Sequence, residues 1–473
     1  MDTELRNFLD LNKKRKIVAV QGLGFVGAAM SIVIANAKNE DYAVIGIDLP
    51  VQKGRIKKLN KGKFPIESAD PKIQQYYQNA ITKNNFFATY DDSAFAYADV
   101  IVVDVNLDVD KTSDSNKNLN DYDVDLTGFK EAIKTIGANC KEDALVLVET
   151  TVPPGTCEKI VAPILKNEFE RRELPENFKI GHSYERVMPG PDYVDSIQNF
   201  YRVYSGIDEE SAQATRDFLK TIINTKEYPL TELKNTTASE TSKVLENSFR
   251  AMNIAFIQEW TEFAESAGID LHEIIGAIRK RPTHKNIMGP GLGVGGYCLT
   301  KDPLFANWSS KALFNANSLK LSETAVRVND QMPLHTFKRI QKYFNNNLKE
   351  KQILILGLSY LKNVGDTRNT PVELLYDKLS KEDLALTIHD PFINYWPERN
   401  LYIFSEKMPL DNFDAIVMGT PHDYYFNDGN LNDLLKRQGQ DTVIFDPHGA
   451  IPANIINQFS NLDFQKIGSG DEQ

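Results

Sequence analysis

The stretch from Lys16 to Asp48 constrains this chain more than any other. Lys16-Ile17-Val18-Ala19-Val20 reads as a buried strand, and Gly22-Leu23-Gly24-Phe25-Val26-Gly27 follows it. The apolar segment Ala28 to Ala37 continues as a helix, and Tyr42 to Ile47 reads as a second strand ending at Asp48. Strand, GxGxxG, helix, strand, acid is the pattern of a dinucleotide-binding βαβ unit. Its glycines allow a tight turn and a close approach of a diphosphate to the helix N-terminus. Asp48, 26 positions after Gly22, is placed to accept from a ribose 2′-hydroxyl. A carboxylate there repels a 2′-phosphate, which favours NAD over NADP; Lys53 and Arg55 work slightly against that preference. The competing reading is a glycine turn in an unrelated α/β fold, which does not require the flanking elements.

Further βα units follow. Asp99 to Val105 is a continuous apolar run, as expected of a buried parallel strand. Residues 107–125, rich in Asp, Asn and Lys, are expected to form a solvated loop, and 126–139 a helix. Leu145 to Val148 is the next strand, ending in Glu149-Thr150-Thr151-Val152-Pro153-Pro154-Gly155-Thr156. Polar residues at the C-terminal end of a parallel strand sit where α/β sheets bind ligands, although helix capping explains Thr150 and Thr151 equally well from spacing alone. Ile180 to Arg186 reads as another strand end, with Glu185 on the ligand side. Residues 1–15 are expected to be a polar tail.

From about Leu230 the pattern changes. Residues 238–266 contain neither Gly nor Pro and carry apolar residues at helical spacing. That predicts a helix about 43 Å long, too long for one small core and suited to connecting domains or forming a subunit interface. Lys243 and Asn247 share one face of it, as a solvated face would also allow. Five glycines then fall within Gly289 to Gly296, followed by Tyr297-Cys298-Leu299-Thr300-Lys301-Asp302. Such a run is expensive in regular structure and suits a backbone that approaches a ligand closely. The remainder, 336–473, reads as strands and helices of a second α/β sheet without GxGxxG, with a disordered tail after Lys466. The expected architecture is therefore α/β: two Rossmann-like parallel-sheet domains, 1–225 and 336–473, joined by a long-helix central domain, 226–335.

Composition narrows the class. The net charge of −11 argues against nucleic acid or an anionic membrane as partner. No apolar run reaches a membrane span, and no secretory signal is expected. Cys140, Cys157 and Cys298 form no CxxC pair, which fits a reducing cytoplasm and suggests no metal site.

Taken together, the blocks Gly22–Gly27, Glu149–Thr156, Tyr184–Gly190, Glu240–Glu259 and Gly289–Asp302 resemble, in order, the nucleotide-sugar 6-dehydrogenases acting on UDP-glucose, UDP-N-acetylhexosamines or GDP-mannose. Gly357-Leu358-Ser359-Tyr360, Gly365-Asp366-Thr367-Arg368 and His389-Asp390-Pro391 extend the resemblance to nearly the whole chain. Leu361 departs from it: a lysine commonly follows the aromatic residue in the family. Tyr184–Gly190 and Glu246–Arg250 are most similar to the UDP-N-acetylglucosamine and UDP-N-acetylmannosamine branch. Cys298–Asp302 is more similar to the UDP-glucose branch, so the sugar stays open.

The resemblance implies a four-electron oxidation of a sugar C6 alcohol to a carboxylate with two NAD and one water. Cys298 would be the nucleophile, Lys243 and Asn247 oxyanion donors, Glu185 the residue that positions the hydrolytic water, and Asp302 the proton acceptor, with Thr151 assisting. It implies a cofactor site of Gly22, Leu23, Gly24, Phe25, Val26, Gly27, Asp48, Lys53, Val105, Asn106, Thr150, Thr151 and Arg368. It implies a nucleotide-sugar site of Glu185, Arg186, Val187, Lys243, Asn247, Arg281, Gly291, Gly293, Gly295, Tyr360 and Lys362. The long helix suggests a homodimer or higher homo-oligomer, and a role in surface-polysaccharide supply follows from the likeness. The rival readings are a two-electron NAD-dependent hydroxyacid or alcohol dehydrogenase, which needs neither cysteine nor glycine run, and a silent nucleotide-sugar sensor.

Overall fold

The structure, a computed structural model, describes residues 1–64, 70–187 and 190–470. Met188 and Pro189, within the Tyr184–Gly190 block, lie outside the described residues. The chain divides into two compact units, one of residues 1–110, 123–245 and 308–318, the other of 111–122, 246–307 and 319–473.

The first unit is built on β1 (Lys16–Gln21), β2 (Tyr42–Ile47), β3 (Phe86–Thr89), β4 (Val100–Val103), β7 (Leu145–Val148), β8 (Lys179–His182), β9 (Val203–Gly206) and β10 (Thr231–Glu232). They lie in the order β10-β9-β8-β7-β4-β1-β2-β3. The six strands from β3 to β8 run parallel, in the order of a dinucleotide-binding sheet. β9 turns antiparallel to β8, so this sheet is mixed at one edge. The Phe25–Ala35 helix is apolar on every side, with all residues from Gly27 to Ala35 buried, as a helix at the centre of the layer must be.

Two expectations fail here. Residues 1–15 are no simple tail: Thr3–Leu11 is a helix that buries Leu5, Phe8 and Leu9 at helical spacing, with Asp2 accepting from Leu5 N–H. Residues 107–125 are no loop: β5 (Asp108–Ser113) and β6 (Leu119–Asp125) form a two-stranded ribbon. Its turn is made by Asp114, whose carboxylate accepts from Asn116 and Asn118 N–H. The polar residues that suggested a loop are the ribbon's exposed positions and turn, while Leu119 and Val124 are buried.

The second unit carries a fully parallel sheet in the order β12-β11-β15-β16-β17, from β11 (Gln352–Leu356), β12 (Ala385–His389), β15 (Ala415–Met418), β16 (Val443–Asp446) and β17 (Asp463–Lys466). A small pair, β13 (Tyr395–Trp396) and β14 (Leu401–Tyr402), flanks it. The expected disordered tail is corrected as far as residue 470. Ile467 is buried, Gly468 N–H donates to Glu265 at 2.8 Å, and Gly470 N–H donates to Ile269 O at 3.1 Å. Residues 471–473 lie outside the described residues. No helix among the described residues is long and apolar enough to cross a membrane.

His182, at the end of β8, is fully buried, and burial, then the nearby Arg202 charge, push its pKa down to about 3. A histidine held neutral below its ordinary pKa stabilises the fold fully above about pH 6.5, and that contribution is lost as pH falls towards 3. The free energy of urea unfolding should therefore fall below pH 6.5 by up to roughly 1.4 kcal/mol per pH unit from this group. His182→Asn should show a shallower slope; an identical slope would contradict the assignment.

Candidate active site

In the first unit, the β1–helix turn forms a cradle. Gly22 has φ +95°, and a Cβ there would lie 2.6 Å from Asp104 O; one on Gly27 would lie 1.9 Å from Gly22 O. These two glycines are needed for protein packing. Gly24 has no neighbour within 4 Å of a Cβ position, and as N-cap it offers no side chain to the first turn of the helix, which begins with Phe25 and Val26. That leaves N–H groups and space for a ligand anion. Gly22, Leu23, Gly24, Asp48, Val105 and Asn106 line a cavity of about 480 Å³, and Arg55 and Asp104 line it as well. Asp48 accepts from Leu23 N–H at 3.3 Å, Leu49 N–H at 2.8 Å and Arg55 Nη1 at 3.1 Å. Lys53 is not among the cavity residues; its ammonium lies over the Tyr90 ring at 5.1 Å. The open Gly24, the uncapped helix and the Asp48 carboxylate fit an NAD-type cofactor.

The neighbouring strand ends supply the polar groups of this unit. Thr150 and Thr151, half-buried, follow β7 in a segment that turns at Gly155, φ +91°. Gly155 and Cys157 N–H donate to the Glu240 carboxyl at 2.5 and 2.8 Å. Burial pushes Glu240 up to about 8, against the pull of these N–H groups. Cys157 is fully buried and its thiol lies well above its usual value, first from burial and then from Glu240, so it suits a structural role. Burial likewise raises Cys140 to about 11. Beyond β8, Lys243 Nζ donates to Glu185 O at 3.0 Å and lies 3.7 Å from its carboxylate, which also accepts from Val187 N–H. Arg186 stacks on Tyr184 and Phe200. Lys243 belongs to a polar face of the Thr236–Ala267 helix: Ser239 meets His182 at 2.6 Å and Ser242 meets the Tyr184 hydroxyl at 3.0 Å.

In the second unit, Cys298 is the first residue of the Cys298–Ala312 helix and is exposed. A helix N-terminus is where negative charge on sulfur is stabilised. Asp302, in the same helix, is buried and accepts from Asn247 Nδ2 at 2.7 Å. Lys301 lies 3.7 Å from Asp302 and over the rings of Tyr297 and Phe305, 4.6 Å from each. Arg368 faces the Tyr297 ring at 5.4 Å, with a fork of bonds to Asp366. Its carbonyl accepts from Gly296 N–H at 3.0 Å, and Asn369 Nδ2 donates to Gly296 O at 2.9 Å.

The glycine run is explained chiefly by the protein itself. A Cβ on Gly293 would lie 2.6 Å from Pro371, on Gly295 2.5 Å from Tyr360 Cβ, and on Gly296 2.6 Å from the Tyr360 ring. Gly291 is less crowded, 3.6 Å from His448. Lys362 is turned to Asp423 at 2.5 Å, and Arg281 is exposed after the Leu271–Ile278 helix. Asp104, Arg202 and Glu240 escaped the sequence reading of the site; nothing in their spacing marks them, because their roles depend on burial. No cluster of metal-ligating side chains occurs among the described residues.

Three family models of the UDP-glucose/GDP-mannose dehydrogenases match in sequence order: the NAD binding domain over 16–224, the central domain over 237–331 and the UDP binding domain over 354–453. The chain belongs to this family. It is thereby an NAD-dependent nucleotide-sugar dehydrogenase. A UDP-N-acetyl-D-mannosamine dehydrogenase of Pyrococcus horikoshii is 30% identical, over 96% of this chain and 99% of the relative. One of Methanococcus vannielii is 27% identical over 98% and 100%. The solved UDP-D-ManNAc dehydrogenase structure from Pyrococcus horikoshii superposes with a TM-score of 0.77 at 27% identity, covering 96% of this chain and all of that one.

The two kinds of glycine separate experimentally. Gly24→Ala should melt as the wild type yet bind NAD at least about tenfold more weakly, because a methyl group enters ligand space. Gly27→Ala should fail to fold stably. Unchanged NAD affinity in Gly24→Ala, by calorimetry, would remove this turn from the cofactor site.

Proposed function

We propose that this dehydrogenase oxidises the C6 hydroxyl of a UDP-N-acetylhexosamine, foremost UDP-N-acetylmannosamine, to the uronic acid. The observation that supports this most directly is the Cys298–Ala312 helix, which begins at an exposed thiol and carries a buried Asp302 tied to Asn247. The names of the relatives support the acetamido sugar. The overall balance is R–CH2OH + 2 NAD+ + H2O → R–COO⁻ + 2 NADH + 3 H+. NAD+, when bound, would supply the hydride acceptor for each oxidation, a fresh NAD+ replacing NADH before the second.

In this mechanism Asp302, with an ordered water, takes the C6 hydroxyl proton as the first hydride leaves. The Cys298 thiolate adds to the aldehyde carbon and keeps it on the enzyme as a thiohemiacetal. Loss of the second hydride leaves a thioester. Lys243 and Asn247 donate to the C6 oxygen where negative charge grows. Glu185, aided by Thr151, orients the water that cleaves the thioester and returns the thiolate. The Gly291–Gly295 backbone holds the nucleotide end, Arg368 contacts the cofactor, and Arg281 acts across a subunit boundary.

The enzyme works in the cytoplasm as a homodimer and feeds surface-polysaccharide synthesis. The Thr236–Ala267 helix supports the dimer: Phe249, Phe256, Trp260 and Phe263 are exposed on it, and Phe256, Trp260 and Phe263 form edge-to-face contacts. An exposed aromatic face of this kind marks an interface. Trp260→Asp should shift the mass measured by light scattering from dimer to monomer; a monomeric wild type would sink this part.

Incubation with NAD and a panel of UDP-N-acetylmannosamine, UDP-N-acetylglucosamine, UDP-glucose and GDP-mannose tests the substrate. The acetamido sugars should show the highest kcat/KM, and preference for UDP-glucose would move the assignment to that branch. Cys298→Ser should form no acid, and full acid output would end the covalent scheme. Lys243→Ala should lose about 3–4 kcal/mol of transition-state stabilisation, a several-hundred-fold drop in kcat.

A further inference from the structure

Beneath the first unit's strand ends lies a buried acidic pair that the mechanism above does not use. Asp104 directly follows β4 and Glu149 directly follows β7, adjacent parallel strands. Glu149 is fully buried and pairs with Arg202, itself only 1% exposed, and both carboxyl oxygens of Asp104 are buried although the residue lines the cofactor cavity. Arg202 Nη1 donates to Tyr184 O at 2.5 Å, just past the end of β8. Three carboxyl oxygens of the pair, Asp104 Oδ1 and Oδ2 and Glu149 Oε2, receive no hydrogen bond from an N–H or hydroxyl donor.

Two buried carboxylates against one guanidinium would leave a net negative charge with no donor to satisfy it, which is expensive in a dry interior. One proton removes the difficulty. It makes Asp104 a donor and Glu149 its acceptor, and it leaves a single ion pair, Glu149 with Arg202. The charged groups acting on Asp104 are Glu149, Glu185 and Arg202. β1 meets it through a backbone bond, Asp104 N–H donating to Gln21 O at 2.8 Å, and the helix after β1 through Gly27, while Asp48, Arg55, Asp92 and Glu131 line the same cavity. Burial, then Glu149 and Glu185, raise Asp104 well above the usual carboxylate range, in keeping with the neutral form.

The residues that follow these strand ends are Val105 and Asn106, Thr150 and Thr151, and Glu185. We propose that Asp104 is a positioning residue: as a neutral acid it donates to Glu149, and the Asp104–Glu149–Arg202–Tyr184 chain fixes the ends of β4, β7 and β8 from which the cofactor-side and water-side groups project. Its bearing on catalysis rests on the function proposed above.

Asp104→Asn and Asp104→Ala test it. The amide of Asn is neutral, of the same shape and able to donate to Glu149. Asp104→Asn should keep the wild-type melting temperature and hold kcat and the NAD KM within about threefold, which is about 0.65 kcal/mol. Asp104→Ala should lower kcat/KM for NAD by about 100-fold, the scale of a displacement of roughly 1 Å at the site. The infrared spectrum of the wild type should show the C=O stretch of a buried protonated carboxyl that Asp104→Asn lacks. Equal impairment of both variants, an unimpaired Asp104→Ala, or no such band would overturn the proposal. If Asp104→Ala does not fold, Asp104→Asn and the infrared band carry the test. If the wild type oxidises no nucleotide sugar, the function reading fails separately, while the band and NAD affinity by calorimetry still decide the state of Asp104.

Discussion

The 32-residue helix Thr236–Ala267 is the constraint on which the rest of the structure depends. At 1.5 Å per residue it is about 48 Å long, more than one small core can cover. The chain therefore spends it on two cores. Its N-terminal turns present a polar face, Ser239, Glu240, Ser242 and Lys243, to strand ends and the Gly155 turn of the first unit. Further along, Asn247 bonds Asp302, and Ala251 and Ala255 meet Ala325 in the second unit. Burying polar groups so early costs desolvation, which the partners of Ser239, Glu240, Ser242 and Lys243 offset.

Close backbone approach is the second recurring device. Gly22 and Gly27 let the first strand and its helix meet, and Gly295 and Gly296 let the segment before Cys298 lie on Tyr360. Around that contact, Arg368 O and the Asn369 side chain hold Gly296 from both sides, so the start of the cysteine helix is set by the loop after β11. The glycines expected to approach a ligand also let two protein segments lie close together.

Much of this was legible in the sequence. The βαβ fingerprint, the long helix, the second sheet and the Cys298–Asp302 cluster follow from spacing and residue type, which is why they could be read in order. The N-terminal helix was also legible in Leu5, Phe8 and Leu9, but its charges masked the period. The β5–β6 ribbon and β17 were obscured because exposed or edge strands carry few apolar residues, and the hook of Ile467–Gly470 rests on backbone hydrogen bonds that side chains do not announce. In the site, the structure brings Asp302 to Asn247 and Lys243 to Glu185. Glu240, Arg202 and Asp104 were invisible, because a buried acid differs from a surface acid only in its surroundings.

The central claim is that one active site carries an alcohol through two oxidations without releasing the aldehyde, by way of Cys298. The most direct measurement is the ratio of NADH formed to nucleotide sugar consumed, followed to completion with the product identified by mass. The account predicts a ratio of two, no free aldehyde, and the uronic acid as product. A ratio of one with an aldehyde or ketone product would contradict it and make the chain a two-electron dehydrogenase.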